Sequence, residues 1–334
     1  MESETKVQFP LKDAEELANS ALRKLGYDSQ QAERISHHLI DSELRGFGIA
    51  GLARILSIAD RLAGKKPATA TKITREAPAT AQLDGQDTLG YLVGYEATEL
   101  AIKKCKEVGV SVVGANGTYY TGMLSYYAEM AARENLVTVI ASHCTAWVAP
   151  EGTYKPLVGT NPFAIGIPTS SAHPPIIYDI GTSKIIHAQC MLARRLGTEI
   201  PPDTAYNAEG EMTTDPHQAL SGALKVWGGA KGSGLALSVQ LLGIVAGAPA
   251  LPPNLENFGF FIMMVNPAMF QPLEEFTSEV DKIIDAWHAA PSTSGSPMRV
   301  PFERSNKMRE EQRATGYVNV ESGVIEKLRA LVGS

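Results

Sequence analysis

A glycine-rich segment ahead of an apolar run could bind a phosphate group. Residues 228–234 read GGAKGSG, and the apolar pattern that follows predicts a helix over residues 234–246. Backbone N–H groups at the positive end of a helix suit a pyrophosphate, and Lys231 would add a point charge there. The alternative interpretation is a capped helix start with a solvated lysine. The segment lacks the G-x-x-x-x-G-K spacing of a P-loop, and residues 112–117 (VVGANG) lack the full G-x-G-x-x-G of a Rossmann fold.

A carboxylate stands near the end of a predicted strand. Asp179 lies in the run 176–180, so we expect its side chain to be partly enclosed and to need a partner. It could orient a substrate or a catalytic group, or it could cap the turn at Gly181. His143, which follows the run 137–141, is a further candidate. The other histidines are interpreted as solvated or packed side chains: His37, His38, His173, His187, His217 and His288.

The elements that would position these groups form an α/β pattern with helices at both ends. Apolar residues at helical spacing predict helices over 11–25, 28–46, 52–62, 94–108, 126–135, 234–246, 273–289, 305–315 and 324–331. Runs rich in β-branched residues predict strands over 110–113, 137–141, 164–167, 176–180 and 258–265. Short strands are expected over 65–90, with Leu83-Asp84-Gly85 as a hairpin signal.

Composition excludes several classes of protein. The 334 residues are 44% apolar and 20% charged, as in an ordinary globular protein, and the net charge of −6 gives no electrostatic footprint for nucleic acid or for an anionic membrane. Residues 1–10 are charged and lack the apolar core of a secretory signal, so we expect a cytoplasmic protein. Cys105, Cys144 and Cys190 are odd in number and far apart, which predicts neither a disulfide framework nor a metal site.

Seven segments in the same order resemble the malate/L-lactate dehydrogenase family that is unrelated to the Rossmann-type enzymes. They cover nearly the whole chain: 45–54 (RGFGIAGLAR), 116–128, 148–168, 177–183, 228–237, 260–270 and 301–303. The family also includes ureidoglycolate and sulfolactate dehydrogenases, a diketogulonate reductase and a cyclic-imine reductase. The resemblance implies a non-Rossmann α/β fold with a mainly antiparallel or mixed central sheet, and a homodimer with its cleft near the interface.

The resemblance also implies a division of the chain into three parts. A helical N-terminal part (1–75) would pack with the C-terminal helices of residues 305–334. A central sheet (76–270) would bind the cofactor, and residues 271–334 would form a helical C-terminal part.

Site residues follow from the resemblance as well. The implied substrate contacts are Arg45, Ala50, Arg54 and Thr160, and the implied cofactor is NADH or NADPH. Arg54 would hold a substrate carboxylate through a bidentate contact; a surface arginine is the alternative. Lys184 could meet a 2′-phosphate or be solvated. The implied cofactor contacts are Tyr178, Asp179, Thr182, Ser183, Lys231, Gly232, Gly234, Phe302 and Glu303.

The chain departs from the family pattern at both of its histidines. The segment R-G-x-x-S-H-G-x-x-R has Ala50 where the presumed proton donor stands, and a methyl group cannot carry a proton. The segment N-S-x-H-[FY]-G corresponds to residues 116–122, with Tyr119 assigned to the histidine place. Tyrosine can donate a proton, but its ordinary pKa near ~10 makes it a weaker acid than imidazolium. We therefore take Tyr119 and Asp179 as the candidate catalytic residues. The stretch 248–257 is also shorter than is usual in the family.

These observations favour an NAD(P)H-dependent reductase of a small carboxylated substrate. Hydride transfer to C=O needs an acid, whereas an iminium already carries the charge, so the loss of both histidines favours C=N over C=O. The alternative is a repurposed scaffold that catalyses a redox-neutral isomerisation, cyclisation or elimination. A binding protein without catalysis is the third hypothesis.

Overall fold

The computed structural model describes residues 6–293 and 295–333. Its helices are α1 (Leu11–Lys24), α2 (Ser29–Leu44), α3 (Ala53–Leu62), α4 (Gly90–Val108), α5 (Leu124–Arg133), α6 (His187–Leu196), α7 (Pro216–Ser221), α8 (Gly229–Val245), α9 (Leu273–Ala289), α10 (Glu303–Thr315) and α11 (Ser322–Gly333). Its strands are β1 (Lys6–Pro10), β2 (Lys72–Ala77), β3 (Thr80–Leu89), β4 (Val110–Tyr119), β5 (Val137–His143), β6 (Val148–Ala149), β7 (Phe163–Ile167), β8 (Ile176–Ile180), β9 (Ala205–Tyr206), β10 (Ala223–Lys225), β11 (Phe258–Val265) and β12 (Tyr317–Glu321).

The central sheet has seven strands in the order β2-β3-β4-β11-β5-β7-β8. Only the β3–β4 pair is parallel, so the sheet is mixed and mainly antiparallel, as predicted. Strand β11 lies in the middle, and its continuous apolar sequence is buried accordingly. Helices α4 and α5 pack on one face of the sheet and α8 packs on the other.

The hairpin signal at Leu83-Asp84-Gly85 was wrong. Strand β3 runs through these residues, and the β2–β3 turn lies at residues 78–79 instead. Gly85 is needed because a Cβ there would lie 2.8 Å from the carbonyl oxygen of Asn116, on the neighbouring strand. The β3–β4 register shifts just after this point, so the Asp-Gly pair marks a bulge rather than a turn.

The first and last elements of the described chain pack together. Strand β1 pairs with β12, α1 packs against α11, and α2 packs against α10. The apolar faces of β1, β12, α1, α2 and α11 share one core with α3, which includes Leu22, Ile35 and Leu328. Helix α9 lies apart from this core. Its residue Asp281 accepts a hydrogen bond from the N–H of Ser170.

Four buried charges tie α2, α5 and α10 together. Arg309 makes a bidentate contact with Glu129 at 2.8 and 2.9 Å and contacts Asp41 at 3.2 Å. Arg45 contacts Asp41 and Glu129 at 2.6 Å each, and its guanidinium stacks 4.2 Å from the ring centre of Phe302. The resemblance implied a substrate contact for Arg45. Its side chain is instead fully enclosed in this balanced network and does not reach the cavity described below.

A small unit beside the central sheet was missed by the sequence analysis. Strands β6, β10 and β9 form a three-stranded sheet, and α6 and α7 close over it around a core that includes Val148, Cys190 and Leu224. Helix α6 contacts the 3₁₀ turn Gly48–Ala50, so this unit forms a wall of the cavity. Within residues 6–293 and 295–333 no helix is long and apolar enough to cross a membrane.

Candidate functional site

A cavity of about 720 Å³ lies where the N-terminal helices, the edge of the central sheet and the small unit meet. Its volume is in the range of pockets that hold small ligands and cofactors. Six of the residues proposed from the sequence line it together: Ala50, Arg54, Thr160, Tyr178, Asp179 and Phe302. Elements far apart in the chain therefore meet at one site.

Arg54 is a half-buried cation without an acidic partner. Among the described residues it makes no ion pair, and its Nε is buried with no hydrogen-bond acceptor. The guanidinium lies 4.5 Å from the ring centre of Tyr120 and close to the hydroxyl of Tyr91. Because a buried donor without a partner is costly, this site is prepared for an anion that enters the cavity.

Asp179 faces the cavity at the end of β8. Its Oδ2 accepts a hydrogen bond of 2.7 Å from the N–H of Ser125, at the first turn of α5. Desolvation inside the cavity raises the pKa of this carboxyl, whereas the hydrogen bonds from Ser125 and Leu124 act in the opposite direction. A carboxyl group whose pKa is raised by desolvation and lowered by hydrogen bonds is suited to hold or exchange a proton.

The structure places Tyr120, not Tyr119, in the cavity wall. Tyr119 is 1% exposed and packs against Tyr27 and the guanidinium of Arg61, so its geometry does not support a catalytic role. Tyr120 lines the cavity beside Arg54, with a positive φ of 51°. The sequence contained the signal: in N-S-x-H-[FY]-G the histidine stands two residues before the glycine, and counting back from Gly122 gives Tyr120.

Two buried histidines, His143 and His38, and the half-buried His187 have different roles. His143 does not line the cavity; its Nδ1 accepts from the N–H of Gly259 and its Nε2 bonds to the carbonyl of Pro249, so it is a structural residue. His38 is buried and accepts the N–H of Met123, which fixes the turn at Gly122. His187, interpreted from the sequence as a solvated or packed side chain, lines the cavity at the start of α6.

Several of the proposed cofactor residues do not line the cavity, and two of them, Thr182 and Ser183, are buried next to Gly181 of the cavity wall. Gly181, in the cavity wall, accepts a hydrogen bond of 2.6 Å from Trp227 Nε1, and Ser183 pairs with Val226. The glycine-rich segment follows directly. The hydroxyls of Thr182 and Ser183 are hydrogen-bonded to backbone carbonyls. Lys184 pairs with Asp203, and Glu303 accepts from the N–H of Val300 and contacts His288.

The start of α8 fits a phosphate group. Gly228 and Gly229 have positive φ values of 65° and 58°, and no side chain caps the first turn of the 17-residue helix. A Cβ on Gly232 would lie 1.7 Å from the carbonyl oxygen of Trp227, so only glycine permits this close packing. Lys231 is exposed at the same turn. The helix begins at Gly229, before the predicted start, and places Lys231, Gly232 and Gly234 within its first two turns.

Glu43 is a buried carboxyl beneath the turn that carries Ala50. A Cβ on Gly51 would lie 2.4 Å from its Oε1, which accepts the N–H of Leu52. Burial raises the pKa of Glu43 to about 8, against the opposing effects of the Leu52 hydrogen bond and of Lys6. It is therefore largely protonated at neutral pH.

Replacing Glu43 with glutamine is expected to flatten the pH dependence of stability. A folded-state pKa of about 8, above the ordinary 4.5, means that the stability associated with the protonated group is full below pH 4.5 and is lost as pH rises through 8. The loss should not exceed about 1.4 kcal/mol per pH unit. Urea unfolding at pH 5 to 8 measures it, with Glu16→Gln on the exposed face of α1 as the control. Identical curves for the wild type and Glu43→Gln would contradict the assignment.

A partly enclosed cavity with an unpaired arginine and a carboxyl group on its wall is typical of an enzyme that acts on a small anion. The chain belongs to the malate/L-lactate dehydrogenase family, whose model matches residues 9–329. It is thus an oxidoreductase, and the fold is that of the family. A dehydrogenase from Sinorhizobium meliloti superposes with a TM-score of 0.90 at 27% identity, over 98% of this chain and 99% of that one.

Relatives with assigned activities cover almost the full length. The L-sulfolactate dehydrogenase of Methanocaldococcus jannaschii is 33% identical, over 86% of this chain and 87% of its own. The (2R)-3-sulfolactate dehydrogenase (NADP(+)) of Chromohalobacter salexigens is 30% identical over 96% of both chains. The Delta(1)-pyrroline-2-carboxylate reductase of Ancylobacter novellus is 29% identical over 97% of both chains.

Proposed function

We propose that this protein is a nicotinamide-dependent reductase of a small carboxylate with a C=O or C=N group next to the carboxyl carbon. The observation that carries this proposal is the unpaired guanidinium of Arg54 in the cavity wall. The names of the relatives support it, since they specify sulfolactate and pyrroline-2-carboxylate as carboxylated substrates. They favour a reductase over a redox-neutral enzyme.

Each part of the site has a role in this proposal. Arg54 binds the carboxylate, Ala50 and Thr160 shape the same wall, and Asp179 orients the reacting group or takes part in proton exchange. Bound NADH or NADPH supplies the hydride. Its proposed contacts are Tyr178 and Phe302 in the cavity wall, together with Thr182, Ser183, Glu303 and the start of α8. The proposal includes a cytoplasmic location.

A homodimer is part of the same proposal. The outer face of α8 exposes Leu237, Leu241 and Val245, which are 54%, 52% and 67% accessible, and Leu251 extends this face. Contiguous exposed leucine and valine side chains are typical of protein interfaces. A second copy of the chain would cover them and would place its surface near the cofactor segment.

The charge at the start of α8 is tested by Lys231→Glu. The substitution is expected to weaken NADH or NADPH binding about tenfold or more, because the phosphates then meet a carboxylate instead of an ammonium group. Lys231→Gln should give a smaller loss, and Lys72→Glu on the exposed strand β2 should give none. Fluorescence titration measures all three. Equal affinity of Lys231→Glu and the wild type would place the phosphates elsewhere.

The whole proposal is tested by titrating the protein with NADH and NADPH and then assaying 2-oxo acids and cyclic 2-imino acids. Binding should raise the free energy of unfolding by ~2.7 kcal/mol at a hundredfold excess over Kd. Oxidation of the reduced nucleotide should depend on a carboxylated substrate. Failure of both nucleotides to bind would overturn the proposal.

A further inference from the structure

His187 is the one described histidine that is both in the cavity wall and without a hydrogen bond at its ring nitrogens to another described group. It is the first residue of α6, and its ring stacks on Trp147 with centroids 3.8 Å apart and planes 13° apart. The stack fixes the plane of the imidazole, while its nitrogens are left for a ligand. His143, in contrast, uses both ring nitrogens for backbone groups, and His38 uses its Nε2 and does not line the cavity.

Arg54 and His187 lie close enough to influence each other electrostatically. Both line the same cavity, which also holds Trp147 and Tyr120. A small molecule whose carboxylate binds Arg54 would therefore place its neighbouring atoms beside the imidazole. This arrangement supplies an imidazole to the cavity although position 50 is an alanine and position 120 is a tyrosine.

We propose that His187 is the catalytic residue that transfers the proton in this site, and that the substrate is accordingly a 2-oxo acid or its 2-hydroxy acid. This inference rests on the proposed function. In the reduction, C2 of the substrate gains a hydride from the dihydronicotinamide, which is oxidised. The electron pair of the C=O bond moves to oxygen, and this oxygen takes the proton from the His187 imidazolium. The imidazole becomes neutral and regains its proton from water.

The charges around His187 link this proton to substrate binding. Burial lowers the pKa of His187 to about 3, and Arg54 of α3 and Arg194 of α6 act in the same direction. The other titratable groups of the cavity walls are Lys6, Glu43, Tyr120, Cys144, Tyr178, Asp179 and Glu321. A carboxylate on Arg54 offsets the positive charge and attracts a proton, so it raises the pKa of His187. Binding of the substrate thus favours the protonated form of the group that must donate.

Glu43 is the competing acid. It lines the same cavity and is protonated at neutral pH, but its Oε1 accepts the N–H of Leu52 and its charged neighbours are Lys6 and Glu321. Arg54 acts electrostatically on His187 and is not among these charged neighbours of Glu43. We therefore place the carboxylate that Arg54 binds beside His187.

The first test is calorimetric and needs no turnover. Oxamate, an unreactive analogue of a 2-oxo acid, is titrated at pH 6.5 in two buffers of different ionisation enthalpy. The wild type and His217→Gln, an exposed control on α7, should take up a proton on binding, and His187→Gln should bind oxamate without that uptake. The same uptake in His187→Gln, or no oxamate binding by the wild type, would overturn the inference.

The second test compares two substrates with the same nucleotide. In His187→Gln, and equally in His187→Asn, kcat for a 2-oxo acid should fall about 10²-fold or more, while kcat for a cyclic 2-imino acid, whose iminium needs no acid, should stay within about threefold. The retained imine rate shows that the variant is folded. If the wild type reduces only imines and His187→Gln matches it, or if Glu43→Gln shows the selective loss instead, the proton-transfer assignment falls and the proposed function stands. If the wild type reduces neither class, both fall.

Discussion

Replacing Arg54 with methionine is expected to weaken oxamate binding and to lower kcat/KM for the carboxylated substrate by about 10²- to 10³-fold. The guanidinium is half-buried, has no acidic partner in the described part of the chain, and faces the cavity. A substrate carboxylate then meets an apolar side chain and loses its water without compensation. Arg54→Lys should lie between the two, since the ammonium keeps the charge and loses the bidentate fork.

The same substitution should leave the protein as stable as before or make it more stable. The Nε of Arg54 is a buried donor without a partner, so its removal takes away an unfavourable group. Arg75→Met, on the exposed strand β2, is the matched control for loss of one arginine. Calorimetry with oxamate measures the affinity, steady-state rates give kcat/KM, and urea unfolding gives the stability of each variant. A large loss of stability with unchanged oxamate affinity would make Arg54 a structural residue instead.

The sequence predicted the parts of this protein that follow a simple period or a continuous run. The central strand β11 was assigned over 258–265, because eight nearly continuous apolar residues suit a strand buried on both faces. Helix α2 was predicted to be capped by Asp28 or Ser29, and in the structure the side chain of Asp28 accepts the N–H of Gln31 in a capping box. The order of segments along the chain predicted the family and the mixed sheet.

The side-chain positions that depend on tertiary packing could not be predicted from periodic patterns in the sequence. Arg45 belongs to the same segment as Arg54, yet its guanidinium turns into a buried network because α5 and α10 bring Glu129 and Arg309 to it from distant parts of the chain. A shift of one residue decides whether Tyr119 or Tyr120 faces the cavity. Counting forward from Asn116 in the family pattern gives Tyr119 and counting back from Gly122 gives Tyr120, so the pattern alone does not decide between them.

His187 shows the same limit for function. Its helix belongs to the small unit around β6, β9 and β10, whose strands have only two or three residues and leave almost no periodic signal. The ring reaches the cavity because α6 rests against the 3₁₀ turn Gly48–Ala50. The sequence analysis considered a proton donor only at the two positions where the family has histidines, whereas the fold brings an imidazole to the cavity from α6.

The buried network of α2, α5 and α10 carries the second large expected effect. Arg309→Met should lower the free energy of unfolding by about 3–5 kcal/mol, because Asp41 and Glu129 are left buried with Arg45 as the only enclosed cation. Burial alone would raise the pKa of Glu129, but Arg309 and Arg45 outweigh this effect and hold it below its ordinary value. The stability from this group is therefore present above pH 4.5 and is lost as pH falls.

A double variant distinguishes charge balance from shape. Glu129→Met combined with Arg309→Met leaves Arg45 and Asp41 as a balanced pair, so it should be more stable than Arg309→Met alone. Lys307→Met, whose exposed partner on α10 is Glu311, should change stability by less than ~0.5 kcal/mol. Urea unfolding at pH 7 measures the cycle. A double variant less stable than Arg309→Met would mean that Glu129 stabilises α5 through contacts other than its ion pairs. If the double variant is more stable than Arg309→Met, as expected, balanced ion pairs hold α10 in place, and with it Phe302 in the cavity wall.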